Sequence, residues 1–317
     1  MKPSDIHKKT LEDDIKKSRP HLKPNSIATY KNALVKIYKL AGFPDGLDIQ
    51  YSLLYTEPEK VVEALKDVAP NIRKTYYSAL VVFVGEKCKS ALKTYGKEMR
   101  DDIGKYQQEQ GENKMSDQQR ENWMTWEEVL NKVAALKKKV TPLWKETNLT
   151  RQEFMLLQSY VLISCYCLIP PRRASDYMNI KYKQEDELSN FYYPKKSSFV
   201  FKVYKTAKVY GIQEETIPKS LKLLLNKWIA KKSSLTGEAF AKVKDSDYIF
   251  NTFVGNPLSN TELTTIINSI FEKKISVSML RHIYITDKLG RKIQELKDAA
   301  GDMAHSLDQQ SAYVKKN

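Results

Sequence analysis

The chain has 317 residues, 41% of them hydrophobic and 29% charged, and its 53 Lys+Arg outnumber 38 Asp+Glu for a formal net charge of +15. This composition is globular, which excludes a disordered or collagen-like chain, and the length predicts two domains, each able to bury a core. The net charge is +4 in residues 1–122 and +11 in residues 123–317, so a polyanion would be held most strongly by the second region.

Lys23-Pro-Asn-Ser26 reads as a helix start, with Asn25 or Ser26 as the cap. An apolar stripe follows at Ile27, Tyr30, Leu34, Ile37 and Ala41, and Gly42 is the expected stop. A second helical stretch is predicted from about Glu57 to Ala69, closed by Pro70. A third starts after Asn71 and carries Tyr76, Leu80 and Phe83 onward to Leu92. Residues 1–96 are therefore expected to form a small all-helical domain. From Gly96 to Asn122 apolar content nearly vanishes, and residues 97–122 read as a linker, partly helical.

Residues 123–317 form the expected second domain. Thr125 and Glu128 make a capping box before Trp126. A long apolar helix runs from Arg151 to Leu168 and ends at Pro170-Pro171; Cys165 and Cys167 read as core residues within it. The most apolar segment, Phe154 to Ile169, is interrupted by Gln158 and Ser159 and is too short for the ~20 apolar residues that span a bilayer. The three cysteines cannot build a disulfide framework, and no C-x-x-C pair suggests zinc. Met1-Lys-Pro-Ser-Asp has no apolar stretch of a secretion signal, so an intracellular, reduced, membrane-free protein is expected.

Phe199-Val-Phe-Lys-Val-Tyr-Lys205 alternates like a strand, Gly211 lies in the following turn, and Ile212 to Ile217 returns. The prediction is one β-hairpin in a mostly helical domain. Further helices are expected at Leu221–Lys231, Thr261–Phe271, Ser278–Leu289 and Ile293–Gly301.

Four features with chemical potential follow one another in the second region. Arg173-Ala-Ser-Asp176 comes just after the double proline and Arg172. A lysine, Lys205 or Lys208, sits at the hairpin. Ser278-Met-Leu-Arg281-His282 lies on a helix, and Ala304-His305 precedes Tyr313 by eight residues from the histidine. Ser278 and Arg281 are three apart and share a helix face. Period-two alternation places Lys205 with Phe199, Phe201 and Val203, which favours it over Lys208.

In this order and spacing the chain resembles the tyrosine recombinase, or phage-integrase, family. The family pattern is an R-x-S-[ED] box, a hairpin lysine, an H-x-L-R-H box, and a G-H box followed by a tyrosine about nine residues on. The wording Pro170-Pro171-Arg172-Arg173 and Tyr204-Lys205-Thr206 is similar to integrases of large DNA viruses, virophages and eukaryotic mobile elements. The motifs cover residues 123–317, and residues 23–95 look like the family's helical core-binding domain. Three positions depart from the pattern: Ser278 replaces the first histidine, Ala304 replaces the glycine, and the His305–Tyr313 spacing is eight.

The resemblance implies a mainly α protein, with a helical DNA-clamping domain before a mixed catalytic domain that carries a small hairpin or sheet. It implies Tyr313 as nucleophile, Arg173 and Arg281 as phosphate ligands, Lys205 as general acid, and His305 and Ser278 at the phosphate. Asp176 would orient or pack beside Arg173, His282 would orient neighbours, and Lys208 and Arg172 would contact DNA. The chemistry suits these residue types. Two guanidiniums can bind the non-bridging oxygens as charge builds on them. A covalent phosphotyrosine keeps the energy of the broken bond, so the strand transfer needs no metal, ATP or other cofactor. The implied partner is double-stranded DNA, with a homotetramer on two duplexes, and the implied setting is a host nucleus, viral factory or cytoplasm. Two other readings stay open: a type IB topoisomerase, which shares this chemistry, and a DNA-binding protein that has lost catalysis.

Overall fold

The computed structural model describes residues 3–46, 49–111, 114–304, 306 and 309, with backbone alone for 3–9 and 109–111. The chain is mainly helical with one small four-stranded sheet, and it divides into two compact units, Met1–Met115 and Ser116–Asn317. Among the described residues no helix is long and apolar enough to cross a membrane.

The first unit is all helix: α1 (Pro3–Ser18), α2 (Pro24–Leu40), α3 (Leu53–Thr56), α4 (Pro58–Ala64), α5 (Pro70–Val84) and α6 (Lys89–Gly111). The start of α2 differs from expectation. Pro24 is its first residue, Lys23 stands at the cap without a side-chain bond, and Asn25 and Ser26 lie inside the helix. Proline suits that position because its missing N–H would have no helical partner anyway. The same logic turns Pro70 from the expected stop into the first residue of α5. Gly85, at φ +50°, ends α5, so the helix expected to reach Leu92 is two helices.

The largest departure is α6, which runs through most of the expected linker. Its inner face carries Ala91, Tyr95 and Asp102, all buried at helical spacing. Arg73 of α5 holds Asp102 with two bonds, Nε–Oδ2 at 2.8 Å and Nη2–Oδ1 at 2.6 Å. The Tyr95 hydroxyl donates to the Leu54 carbonyl at 2.6 Å. Thus a stretch poor in apolar residues is ordered by a few well-placed contacts.

The second unit begins with α7 (Asp117–Asn122), α8 (Trp126–Val140) and α9 (Arg151–Leu168). Capping boxes start all three: Ser116 with Gln119, Thr125 with Glu128, and Thr150 with Glu153. Helix α9 is the core element, buried from Leu157 through Tyr166, and its Phe154 packs on Trp228 with ring centroids 5.3 Å apart. Cys165 is buried in it and Cys167 half-buried. Next come α10 (Ala174–Met178), β1 (Ile180–Lys181), β2 (Asn190–Tyr193), β3 (Ser198–Phe201), α11 (Ala207–Tyr210) and β4 (Gln213–Thr216). The strands lie in the order β1-β2-β3-β4; β1 and β2 are parallel and the other pairs antiparallel. The expected hairpin is β3–β4, with Phe199 opposite Glu215 and Phe201 opposite Gln213.

Strand β3 stops at Phe201, four residues short of expectation. The Asn190 side chain causes this: its Oδ1 accepts the N–H groups of Lys202 and Val203 at 2.9 and 2.8 Å, and diverts the chain. Helices α12 (Lys219–Ser234), α13 (Ala241–Asp245), α14 (Asn260–Phe271) and α15 (Val277–Asp302) complete the unit. The two helices expected at 278–289 and 293–301 are one, because Gly290 sits within α15 without breaking it.

Candidate functional site

Helix α9 cannot continue past Leu168: Ile169 is extended, and Pro170-Pro171 lack the N–H donors a helix needs. The chain therefore leaves the core and presents Arg172 and Arg173 at the start of α10. Elsewhere, Ser276 caps α15 by accepting the Met279 N–H at 3.1 Å. Met279 and Leu280 are buried, which seats Arg281 against the domain surface. The two places meet. Arg173 and Arg281 line one cleft of about 360 Å³, together with Pro170, Pro171, Tyr204 and Thr206.

The two adjacent arginines have different work. Arg172 donates through Nε to Asp176 at 3.2 Å and through Nη2 to Gln213 at 2.9 Å. Its Nη1 lies 3.6 Å from a Glu215 carboxylate oxygen, and its guanidinium stacks 3.8 Å from the Phe201 ring centroid. It ties α10 to β3 and β4. Burial pushes the Glu215 carboxyl above its ordinary value, and the Arg172 charge offsets part of that. Arg173 and Arg281 have no carboxylate partner among the described residues. The cleft's unneutralised charge is therefore theirs.

These contacts alter two assignments. Asp176, 1% exposed, pairs with Arg172 and not with Arg173. Arg172, expected on DNA, lines the same cleft, with its guanidinium paired to Asp176 and Glu215. In the core, Tyr166 of α9 and Tyr177 of α10 pack edge to face at 4.8 Å. The buried Tyr166 hydroxyl has no hydrogen-bond partner among the described residues, and burial raises its pKa well above the usual value. The Arg281 charge offsets a small part of that rise.

Lys205 is exposed in the turn between β3 and α11; its neighbours Tyr204 and Thr206 line the cleft, and Lys205 itself does not. The strand alternation does not extend to Lys205. Phe199 and Phe201 are fully buried, whereas Val203 is 39% exposed, because the strand has already ended. Lys208 is exposed on α11, so backbone geometry does not choose between the two lysines. Ser278 is exposed on the first turn of α15, and His282 is exposed beside Arg281. His305 and Tyr313 lie outside the described residues.

Sequence reasoning missed Tyr210, Gln213 and Glu215, which also line the cleft. Gln213-Glu-Glu-Thr216 is polar on both faces, so nothing in its composition tells which side is half-buried. Ala304 has φ +55°, a left-handed conformation that favours glycine, and it ends α15 just before His305. Among the described residues no group of three or more His, Cys, Asp or Glu is placed to hold a metal ion. No family model, curated protein or solved structure matches this chain.

Proposed function

We propose that the chain is a DNA strand-transfer enzyme of the tyrosine recombinase type, cutting and rejoining strands through a 3′-phosphotyrosine. The observation that supports this reading is that Arg173 and Arg281 line one cleft and have no carboxylate partner among the described residues. Two guanidiniums lining one small cleft suit a phosphodiester, whose two non-bridging oxygens together accept the paired N–H bonds of a guanidinium.

In this reading the Tyr313 phenolic oxygen attacks phosphorus and the 5′ oxygen leaves. A lysine of the hairpin turn, Lys205 or Lys208, gives the leaving oxygen its proton. Arg173 and Arg281 hold the charge that develops in the transition state. Ser278, one turn before Arg281, donates its hydroxyl to the same phosphate, and His305 takes the tyrosine proton. Arg172 and Asp176 act indirectly, by fixing the backbone that carries Arg173. The first unit supplies a second DNA-binding surface, and strand exchange on two duplexes calls for a tetramer.

Covalent trapping tests this. Wild type and Tyr313→Phe are incubated with a pool of nicked, AT-rich duplexes, without added metal or ATP, and run on a denaturing gel. The expected result is an adduct with wild type that is absent from Tyr313→Phe. An adduct that persists in Tyr313→Phe assigns the nucleophile elsewhere. Salt-sensitive binding without any adduct favours the binder that has lost catalysis. Relaxation of supercoiled plasmid lacking any target site favours the topoisomerase.

A further inference from the structure

The turn that joins β3 to β4 ends in an apolar tip. Val209 is 76% exposed, Tyr210 66% and Ile212 67%, three large apolar side chains in four residues. Exposed apolar clusters of this kind mark contact surfaces. The tip is also held rigidly. The Tyr204 hydroxyl donates to the Gly211 carbonyl at 2.6 Å, closing the turn on itself. The Asn190 amide donates to the Val203 carbonyl at 3.1 Å and anchors its base. Gly211 takes φ +66° at the apex, where a side chain would be strained.

The surroundings of the tip identify what covers it. Lys205 and Lys208 are exposed on the same turn and have no carboxylate partner among the described residues. Residues 203–212 contain no Asp or Glu. A surface that is apolar, aromatic and cationic at once matches DNA, which offers phosphates outside and flat base faces inside. The same residues contain no Arg, Asn or Gln; of the side chains that read base edges in the major groove they hold only Lys205, Thr206 and Lys208. Apolar side chains instead enter base steps from the minor groove and unstack them. Tyr210 also lines the cleft of Arg173 and Arg281, so the tip stands beside the place proposed for the reacting phosphate.

The geometry points to Tyr210, flanked by Val209 and Ile212, as a wedge that unstacks the base step next to the phosphate bound by Arg173 and Arg281. This rests on the DNA reading given above and adds a sequence preference to it. Pyrimidine–purine steps such as TpA unstack most easily, so sites carrying them at that position bind best. The wedge is a specificity element and leaves the chemistry to other residues.

The test uses the full chain carrying Tyr313→Phe, so that bound DNA stays uncut. Two duplexes are compared, one with TpA steps and one with those steps replaced by ApA, each with 2-aminopurine in one step. Binding is expected to raise 2-aminopurine fluorescence on the TpA duplex. Adding Tyr210→Ser should abolish that rise and weaken TpA binding about tenfold, the scale of one lost base stack. The TpA preference should fall to near unity while the salt dependence is unchanged. Tyr210→Phe should restore both signals, which separates the wedge from a folding defect. Lys208→Gln should lower the salt slope by about one and keep the preference. A Tyr210→Ser protein with unchanged affinity, preference and fluorescence overturns the wedge and leaves the DNA reading standing. Loss of self-association in sedimentation, with DNA behaviour unchanged, overturns it in favour of a protein contact. Failure of the Tyr313→Phe chain to bind either duplex overturns both readings together.

Discussion

Arg172 stacks on Phe201 and meets Asp176 and Glu215, whereas Arg173, the next residue, meets no carboxylate among the described residues. The Asp176 side chain is 2% exposed, so removing its partner leaves a buried charge uncompensated. Arg172→Met is expected to cost about 3–5 kcal/mol of folding stability. Arg173→Met should change stability by less than about 0.5 kcal/mol, because no buried partner is orphaned. Urea unfolding of both variants, paired with DNA binding, checks the division of labour; equal destabilisation by the two would refute it. Lys232 is a second residue with a legible cost. It is fully buried, donates to the Tyr248 carbonyl at 2.6 Å, and burial brings its pKa down to about 7, with the Lys183 charge adding and Asp247 partly offsetting. Between that value and its ordinary 10.5, the unfolded chain binds a proton that the folded chain does not. Stability from this group therefore rises with pH across that window and is lowest below it. The stability of wild type relative to Lys232→Met should grow from pH 7 to pH 10, as measured by thermal melts; a flat difference would show the ammonium stays charged in the fold.

At the scale of elements, local signals worked where the chain decides its own conformation. The Thr125–Glu128 capping box and the Pro170-Pro171 stop are found as predicted, because each acts through neighbouring backbone groups. They misled where one residue type serves two roles. Pro70 can end one helix or begin the next, and only the packing of α5 selects the second. Helix α6 was illegible for a different reason: its order depends on a salt bridge to another helix, which composition does not display. That dependence gives a prediction. Arg73→Ala should cost about 3–5 kcal/mol, since the Asp102 side chain, 4% exposed, loses its partner. Hydrogen exchange should then quicken through residues 97–111. Unchanged protection there would mean α6 stands on its own propensity. Strands β1 and β2 left little trace because one has two residues and the other, Asn-Phe-Tyr-Tyr, shows no alternation.

At the scale of the whole molecule, each unit encloses its own hydrophobic core, one centred on α2, α5 and α6 and the other on α9 and the sheet. The chain divides after Met115, within the stretch 97–122 read as a linker, which is largely helix. The charge bias toward the second unit coincides with the unit that holds the arginine cleft. By itself the sequence determined the helical character, the apolar helix α9 and the existence of a hairpin, since each follows from periodicity or from backbone chemistry within a few residues. It also singled out Arg173 and Arg281, through the order of their motifs. Only the tertiary structure decided that those two share a cleft, that Arg172 is already bound to Asp176 and Glu215, and that Tyr210 stands at the cleft beside an apolar tip. These outcomes depend on pairing between segments far apart in the chain, and neither spacing nor composition encodes which charges a fold will neutralise against each other.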